Sequence, residues 1–228
     1  MSYTRTLLIT VLLSFAAAGV QAATVTVTDA NSDFSVTYNT DDAGAFGTLF
    51  LSNNTIFFVP DNFTAQSNNG AGFASISETL NLQLNATTPG FTFETFVLDE
   101  DGDYIANGAG TEVSASGEMR VRAGDDPATT YLDGFDFIDN GDLGPATQQW
   151  AGSATIDQND GWMGTTSTVF LTLQNVLTAN STFQGEGAFI QKKFEGVSIS
   201  VNPVPVPAAV WLFASALAGL FGWRRRRN

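Results

Sequence analysis

The sequence predicts an all-β protein, with residues 23–202 forming an antiparallel β-sandwich of jelly-roll or immunoglobulin-like type. Apolar and polar residues alternate with period two in several runs, which is typical of strands that have one buried and one solvated face. Clusters of turn-forming residues separate these runs. Outside the two ends, no run longer than about ten residues has helical periodicity. We therefore expect a single domain of packed sheets.

The alternating runs follow one another along the chain, at 24–28, 34–39, 75–84, 113–121, 169–173 and 197–201. Turns are predicted between them, at 41–44, 68–70, 139–142 and 159–161. In the third run, one face carries the apolar side chains of Ile76, Leu80, Leu82 and Leu84, and we expect it to point into the core. Residues 140–165 show the weakest pattern and are predicted to form a long loop with a short strand near Trp150.

The composition excludes several classes of function. The chain contains no Cys and no His, so disulfides, zinc sites built from Cys or His, Cys nucleophiles and imidazole-dependent triads are ruled out. Between Asp29 and Glu195 there are 23 acidic and four basic side chains, a net charge of −19. A nucleic-acid partner is not expected, because binding phosphates requires Lys and Arg. Such a charge suits a soluble extracellular surface or one that collects cations.

The N-terminal segment is predicted to be a secretory signal peptide, residues 1–22. Arg5 precedes an apolar run at 7–19, and small residues follow it. Cleavage is expected between Ala22 and Ala23. This assignment makes the secretion translocon a partner and places the mature chain outside the cytoplasm.

The C-terminal segment, 203–228, is predicted to contain a transmembrane helix at 208–223, a stretch of 16 residues without a charge. Pro203, Pro205 and Pro207 prevent the helix from beginning earlier. A run of four arginines, Arg224, Arg225, Arg226 and Arg227, follows the helix and is expected to stay in the cytoplasm. Residues 23–202 are then expected outside, as part of an inner-membrane-anchored precursor.

This segment resembles a PEP-CTERM sorting signal, which pairs a Pro-Glu-Pro-like motif with a short transmembrane helix and a basic tail. The matching motif here is Pro205, Val206, Pro207 and Ala208, in which Val206 replaces the glutamate of the motif. The resemblance implies an exosortase partner, a membrane transpeptidase that cleaves near the motif and transfers the protein to the cell envelope. It also implies a Gram-negative source and a setting of exopolysaccharide production.

Asp99, Asp101 and Asp103 are candidate calcium ligands, because alternating carboxylates can converge on a cation that prefers oxygen. An EF-hand loop counted from Asp99 does not fit, since Tyr104 and Gly110 occupy its sixth and twelfth positions. The alternative is a solvated hairpin turn at 99–103.

Trp150 and Trp162 flank a polar, Gly-rich stretch and are candidates for stacking on sugar rings. The alternative is that both are core anchors.

Taken together, these patterns predict a secreted, non-enzymatic protein of the cell envelope or extracellular matrix, structural or adhesive among exopolysaccharides. We identify no catalytic residue and no required cofactor, with calcium as the one candidate ion. Two alternatives remain open at this stage. One is a lectin-like carbohydrate-binding module, and the other is a glycosidase using paired carboxylates.

Overall fold

A computed structural model describes residues 23–165 and 167–202 of the chain. The predicted signal peptide, 1–22, and the predicted transmembrane helix, 208–223, lie outside the described residues. Within the two described ranges, no helix is long and apolar enough to cross a membrane.

Twelve strands make up the described part of the chain: β1 Thr24–Val27, β2 Phe34–Asn39, β3 Thr48–Ser52, β4 Thr55–Val59, β5 Thr64–Asn68, β6 Gly72–Ala86, β7 Phe96–Asn107, β8 Thr111–Ala123, β9 Tyr131–Asp139, β10 Gly144–Ile156, β11 Thr168–Ser181 and β12 Gly187–Val201. Three short 3-10 helices connect them, at Thr40–Asp42, Gly44–Phe46 and Gln158–Asp160. The predicted all-β fold is confirmed.

The strands form two antiparallel sheets of six strands each. In the first sheet the order is β1-β2-β6-β11-β8-β9. In the second sheet it is β10-β7-β12-β4-β3, with β5 also pairing with β12. The two sheets enclose one apolar core, as expected of a β-sandwich.

The predicted core face of β6 is also confirmed. Leu80, Leu82 and Leu84 are buried, and Ile76 is half-buried against the same core. Leu80 pairs with Leu173 on the neighbouring strand β11, and Leu173 pairs in turn with Met119 on β8. Period-two alternation therefore identified the buried side of this sheet correctly.

The prediction of a long loop at 140–165 was wrong, whereas the strand predicted near Trp150 is present and longer than expected. Residues 144–156 form β10, which pairs with β7 along most of its length. Its pattern was hard to detect because the strand is built from small and polar residues, with Trp150, Ala154 and Ile156 as its buried side chains. A strand of such composition is stable where it packs against a hydrogen-bonded neighbour.

The predicted hairpin turn at 99–103 was also wrong. These residues lie in the middle of β7, between β10 and β12. Acidic side chains are tolerated at alternate positions because they face water, while Leu98 and Tyr104 face the core on the other side.

An irregularity interrupts β12 beside β7. Lys192 pairs with Gly102, but the next pair joins Val197 to Glu100. Between these two pairs, one residue of β7, Asp101, is opposed by four of β12, 193–196, so β12 carries an insertion here. Both Lys192 and Glu100 are buried, in the interior of the sandwich.

Candidate functional site

The three candidate calcium ligands form a row on the outer face of the second sheet. Asp99 and Asp101 are exposed and Asp103 is half-buried. Small side chains stand beside them, because Asp99 pairs with both Ser153 and Ser198. The resulting shallow depression has a volume of about 390 Å³.

The strand keeps these carboxylates apart. Alternate residues of a strand are separated by about 6.6 Å, so Asp99 and Asp103 are separated by about 13 Å along β7. Asp103 has a partner of its own, the Lys193 ammonium at 3.2 Å. Among residues 23–165 and 167–202, no three acidic side chains are grouped so that they could hold a metal ion. The structure therefore does not bring the three aspartates into one calcium shell.

Trp150 lies inside the sandwich with 3% of its surface exposed. Its indole Nε1 donates a hydrogen bond to the Gln191 carbonyl oxygen at 3.1 Å. The rings of Phe135 and Phe137 pack against it, with centroids 6.3 and 6.1 Å away. The indole has no open face for a sugar ring.

Trp162 is buried in the same way, with 2% exposed. Its Nε1 donates to the Phe93 carbonyl oxygen at 2.7 Å, and its ring meets Phe96 and Tyr131 edge to face. Both tryptophans thus act as core anchors, each with its polar atom satisfied by a backbone carbonyl.

A polar cluster that the sequence analysis did not identify lies in the core. Glu100 of β7, Lys192 of β12 and Asn175 of β11 are all buried, and Asn175 has no exposed surface. The Lys192 ammonium forms an ion pair with Glu100 Oε2. Asn175 Nδ2 donates to Glu100 Oε1 at 2.7 Å. One carboxylate therefore connects an amine from the second sheet with an amide from the first.

Aromatic rings and glycines shape the space around this cluster. The Lys192 Nζ lies 5.2 Å from the ring centroids of both Phe63 and Trp150. A Cβ at Gly117 would lie 3.0 Å from Glu100 Oε1, and a Cβ at Gly102 would overlap the Trp150 indole. The cluster is thus enclosed by apolar surface and by positions where a larger residue would not fit.

The surroundings shift both titratable groups toward their neutral forms. Burial raises the pKa of Glu100, although the charge of Lys192 and the hydrogen bonds from Lys192 and Asn175 oppose that change. Burial lowers the pKa of Lys192, although the charge and hydrogen bond of Glu100 oppose it. Burial therefore brings the pKa values of the two groups closer together and makes the neutral pair of amine and acid more accessible than it is in water.

The sequence does indicate one member of this cluster, Glu100. Phe96, Leu98 and Glu100 share one phase of the period-two pattern, so Glu100 lies on the buried side of its strand. The dense acidic run around it concealed that phase, and the partners come from strands far away in the sequence. Glu100 faces an amine and an amide, so it is not one half of the carboxylate pair that glycoside hydrolysis requires.

Comparison with solved structures yields distant matches. The carbohydrate-binding module TmCBM61, in complex with beta-1,4-galactotriose, is 8% identical, with 62% of this chain and 90% of that chain covered and a TM-score of 0.21. The infectious bursal disease virus VP2 subviral particle is 12% identical, with 85% and 60% covered and a TM-score of 0.17. At these TM-scores, neither likeness carries an argument about this chain.

No curated protein matches the chain. One family does, and it matches the segment singled out by its proline motif and arginine tail. Residues 203–227 match the family described as the PEP-CTERM protein-sorting motif. The chain carries a PEP-CTERM sorting motif at its C-terminal end.

Proposed function

We propose that this chain is an exported, non-enzymatic β-sandwich protein that an exosortase sorts to the cell envelope, where it serves a structural or adhesive role among exopolysaccharides. The observation that carries the proposal is the PEP-CTERM match at 203–227. The described sandwich is the domain that this signal directs to the cell envelope. Its excess of acidic side chains suits a protein that remains in water after release from the membrane.

The division of the chain follows from the same proposal. Residues 1–22 direct export and are removed before Ala23. Residues 203–228 hold the precursor in the inner membrane, with Arg224 to Arg227 on the cytoplasmic side. Pro205, Val206, Pro207 and Ala208 form the segment that the exosortase recognises.

The test is the location of the full chain in a Gram-negative host with and without a matching exosortase. Wild-type protein is expected at the surface, where added protease digests it on intact cells. A Pro205→Ala/Pro207→Ala variant is expected to remain in the inner membrane. Pro145→Ala is the control, because Pro145 is an exposed proline of β10 outside the motif. Equal surface exposure with and without the exosortase would contradict the proposal.

A second candidate function is carbohydrate binding by the outer face of the second sheet. The observation in its favour is the depression over β7, where Asp99, Asp101, Ser153 and Ser198 offer hydrogen-bond acceptors and donors to sugar hydroxyls. A glycan array with wild-type protein and Asp101→Asn, each with and without calcium, tests this function. Binding that is lost in Asp101→Asn would favour it over a purely structural role.

A further inference from the structure

We propose that Lys192 and Asn175 join to form an intramolecular isopeptide bond between the two sheets, with Glu100 as the proton-transfer group. The proposal concerns the core of the sandwich and is independent of how the chain is sorted. It rests on the contacts, the enclosure and the chemistry of these three side chains.

The two reacting groups already meet at one carboxylate. The Lys192 Nζ contacts Glu100 Oε2, and the Asn175 amide contacts Glu100 Oε1 at 2.7 Å. Asn175 belongs to β11 in the first sheet, whereas Lys192 belongs to β12 in the second. Holding the amine and the amide on the two oxygens of one carboxylate lowers the entropic barrier to their reaction.

The enclosure favours the reactive forms of these groups. The side chains of Lys192 and Glu100 have no solvent-exposed surface, and the rings of Phe63 and Trp150 flank the amine. A desolvated lysine loses its proton more readily and becomes a nucleophile. A desolvated carboxylic acid keeps its proton and can donate a hydrogen bond.

The Asn175 amide has an unused acceptor. Among the described residues, its Oδ1 has no hydrogen-bond partner although it is buried. Half a turn about the Cβ–Cγ bond exchanges Oδ1 with Nδ2, breaks the 2.9 Å hydrogen bond from Nδ2 to the Gln174 carbonyl oxygen and places Oδ1 against Glu100. The protonated acid then donates to this oxygen and makes Cγ more electrophilic.

The reaction balances without an oxidant, a metal or another reactant. A proton first passes from the Lys192 ammonium to Glu100, leaving a neutral amine and a neutral acid. The Nζ attacks Asn175 Cγ while Glu100 gives its proton to Oδ1 and takes one from Nζ. Glu100 then protonates Nδ2 and recovers the proton of the former Oδ1 as the Cγ–Nδ2 bond breaks. An Nζ–Cγ bond has formed, ammonia leaves, and Glu100 is again a neutral acid.

Such a bond would have a clear use in this chain. The sequence has no Cys, so no disulfide can cross-link the sandwich. An amide between β11 and β12 would tie the two sheets together and, unlike a disulfide, would not respond to the redox state of the surroundings.

The test is a tryptic digest of the full chain, because Asn175 and Lys192 fall in one peptide. Trypsin cuts after Arg122 and, when the lysine is free, after Lys192. With the isopeptide bond, Lys192 is not cut, and peptide 123–193 is lighter by one ammonia, about 17 Da. A second cleavage after Glu186 should leave its two halves connected. That connection distinguishes the cross-link from cyclisation of Asn175 onto its own backbone, which also loses ammonia.

The variants identify the role of each group. Asn175→Asp keeps the shape of the side chain and should cross-link with loss of water, about 18 Da, in place of ammonia. Glu100→Gln should give the unmodified peptide 123–192. Glu118→Gln is the control, because Glu118 lies on β8 with Arg120 as its ion-pair partner, and it should cross-link fully.

An unmodified peptide 123–192 from the wild-type chain would overturn the proposal, and this result does not depend on the folding of any variant. A cross-link that persists in Glu100→Gln would overturn the role of Glu100.

Discussion

Lys192 and Lys193 are neighbours in the sequence but occupy opposite environments. The side chain of Lys192 is fully buried against Glu100, whereas Lys193 is one-third exposed beside Asp103. A buried charge is tolerated only with its partner, while an exposed pair adds little to stability. The two lysines therefore provide a matched comparison within one strand.

Lys192→Met is expected to lower the free energy of unfolding by at least about 3–5 kcal/mol, because it leaves Glu100 buried without its partner and also removes the proposed cross-link. Lys193→Met is expected to change it by about 1 kcal/mol or less. Urea denaturation of residues 23–202 measures both values. Equal effects of the two substitutions would contradict the assignment of Lys192 to the core.

Tyr104 provides a second prediction at the scale of a residue. Its hydroxyl donates a hydrogen bond to Asp139 Oδ2 at 2.7 Å. Burial first, and then the hydrogen bond and the charge of Asp139, raise the pKa of Tyr104 from 10.0 to about 12. Because the folded state holds this proton more tightly, the resulting stability is complete below pH 10 and is lost as the pH rises through about 12.

The free energy of unfolding should therefore fall between pH 10 and about 12, and Tyr104→Phe should remove the part of that fall due to this group. The difference between the ultraviolet tyrosinate titrations of the wild type and of Tyr104→Phe gives the pKa of Tyr104, because the chain has three other tyrosines. A Tyr104 that ionises at its ordinary pKa would show that the hydroxyl is not held by Asp139.

For the strands, side-chain size determines how clearly the sequence indicates the buried face. The faces of β6 and β8 were predicted correctly because leucine, valine and methionine alternate with polar residues. The length of β10 was underestimated because its outer positions include Ala151 and Ser153, which carry little pattern. The centre of β7 was missed because acidic residues resemble a turn until their neighbours are known.

The polar cluster of Glu100, Lys192 and Asn175 could not be predicted from the pattern of any single strand. The phase of β7 places Glu100 inside, but its contact with Lys192 depends on the irregular pairing of β12. Its contact with Asn175 depends on how the two sheets stack. Neither is encoded in local periodicity, because both are contacts between residues distant in sequence.

Gly102 lies on β7 where the backbone of β12 and the Trp150 side chain of β10 approach it closely. A Cβ at this position would overlap the Gln191 carbonyl oxygen and the Trp150 indole. Gly102→Ala is therefore expected to lower the melting temperature, by an amount corresponding to about 1–3 kcal/mol. Gly141→Ala is the control, since its nearest neighbour is the movable Asp139 carboxylate at 3.3 Å. A neutral Gly102→Ala would contradict the close packing at this site.

The molecule as a whole carries a large excess of negative charge. With 23 acids against four bases between Asp29 and Glu195, the acidic side chains of the sandwich should repel one another at low salt. The row of Asp99, Asp101 and Asp103 spreads its charges along a strand, so we expect screening by divalent ions without a saturable site.

Thermal melts of residues 23–202, titrated with magnesium or calcium at fixed ionic strength, should therefore rise gradually and almost equally. Asp101→Asn should change the response only slightly. A saturating rise with calcium alone, abolished by Asp101→Asn, would instead establish a calcium site and strengthen the carbohydrate-binding alternative.

The proposed sorting requires that the chain is exported and then released from the membrane through its C-terminal signal. Mass spectrometry of the protein from the envelope fraction of a host with the matching exosortase measures both ends of the product. The predicted product begins at Ala23 and lacks Arg224 to Arg227, and the same chain from a host without the exosortase keeps them. An envelope product that still carries the four arginines in the exosortase-containing host would contradict the claim.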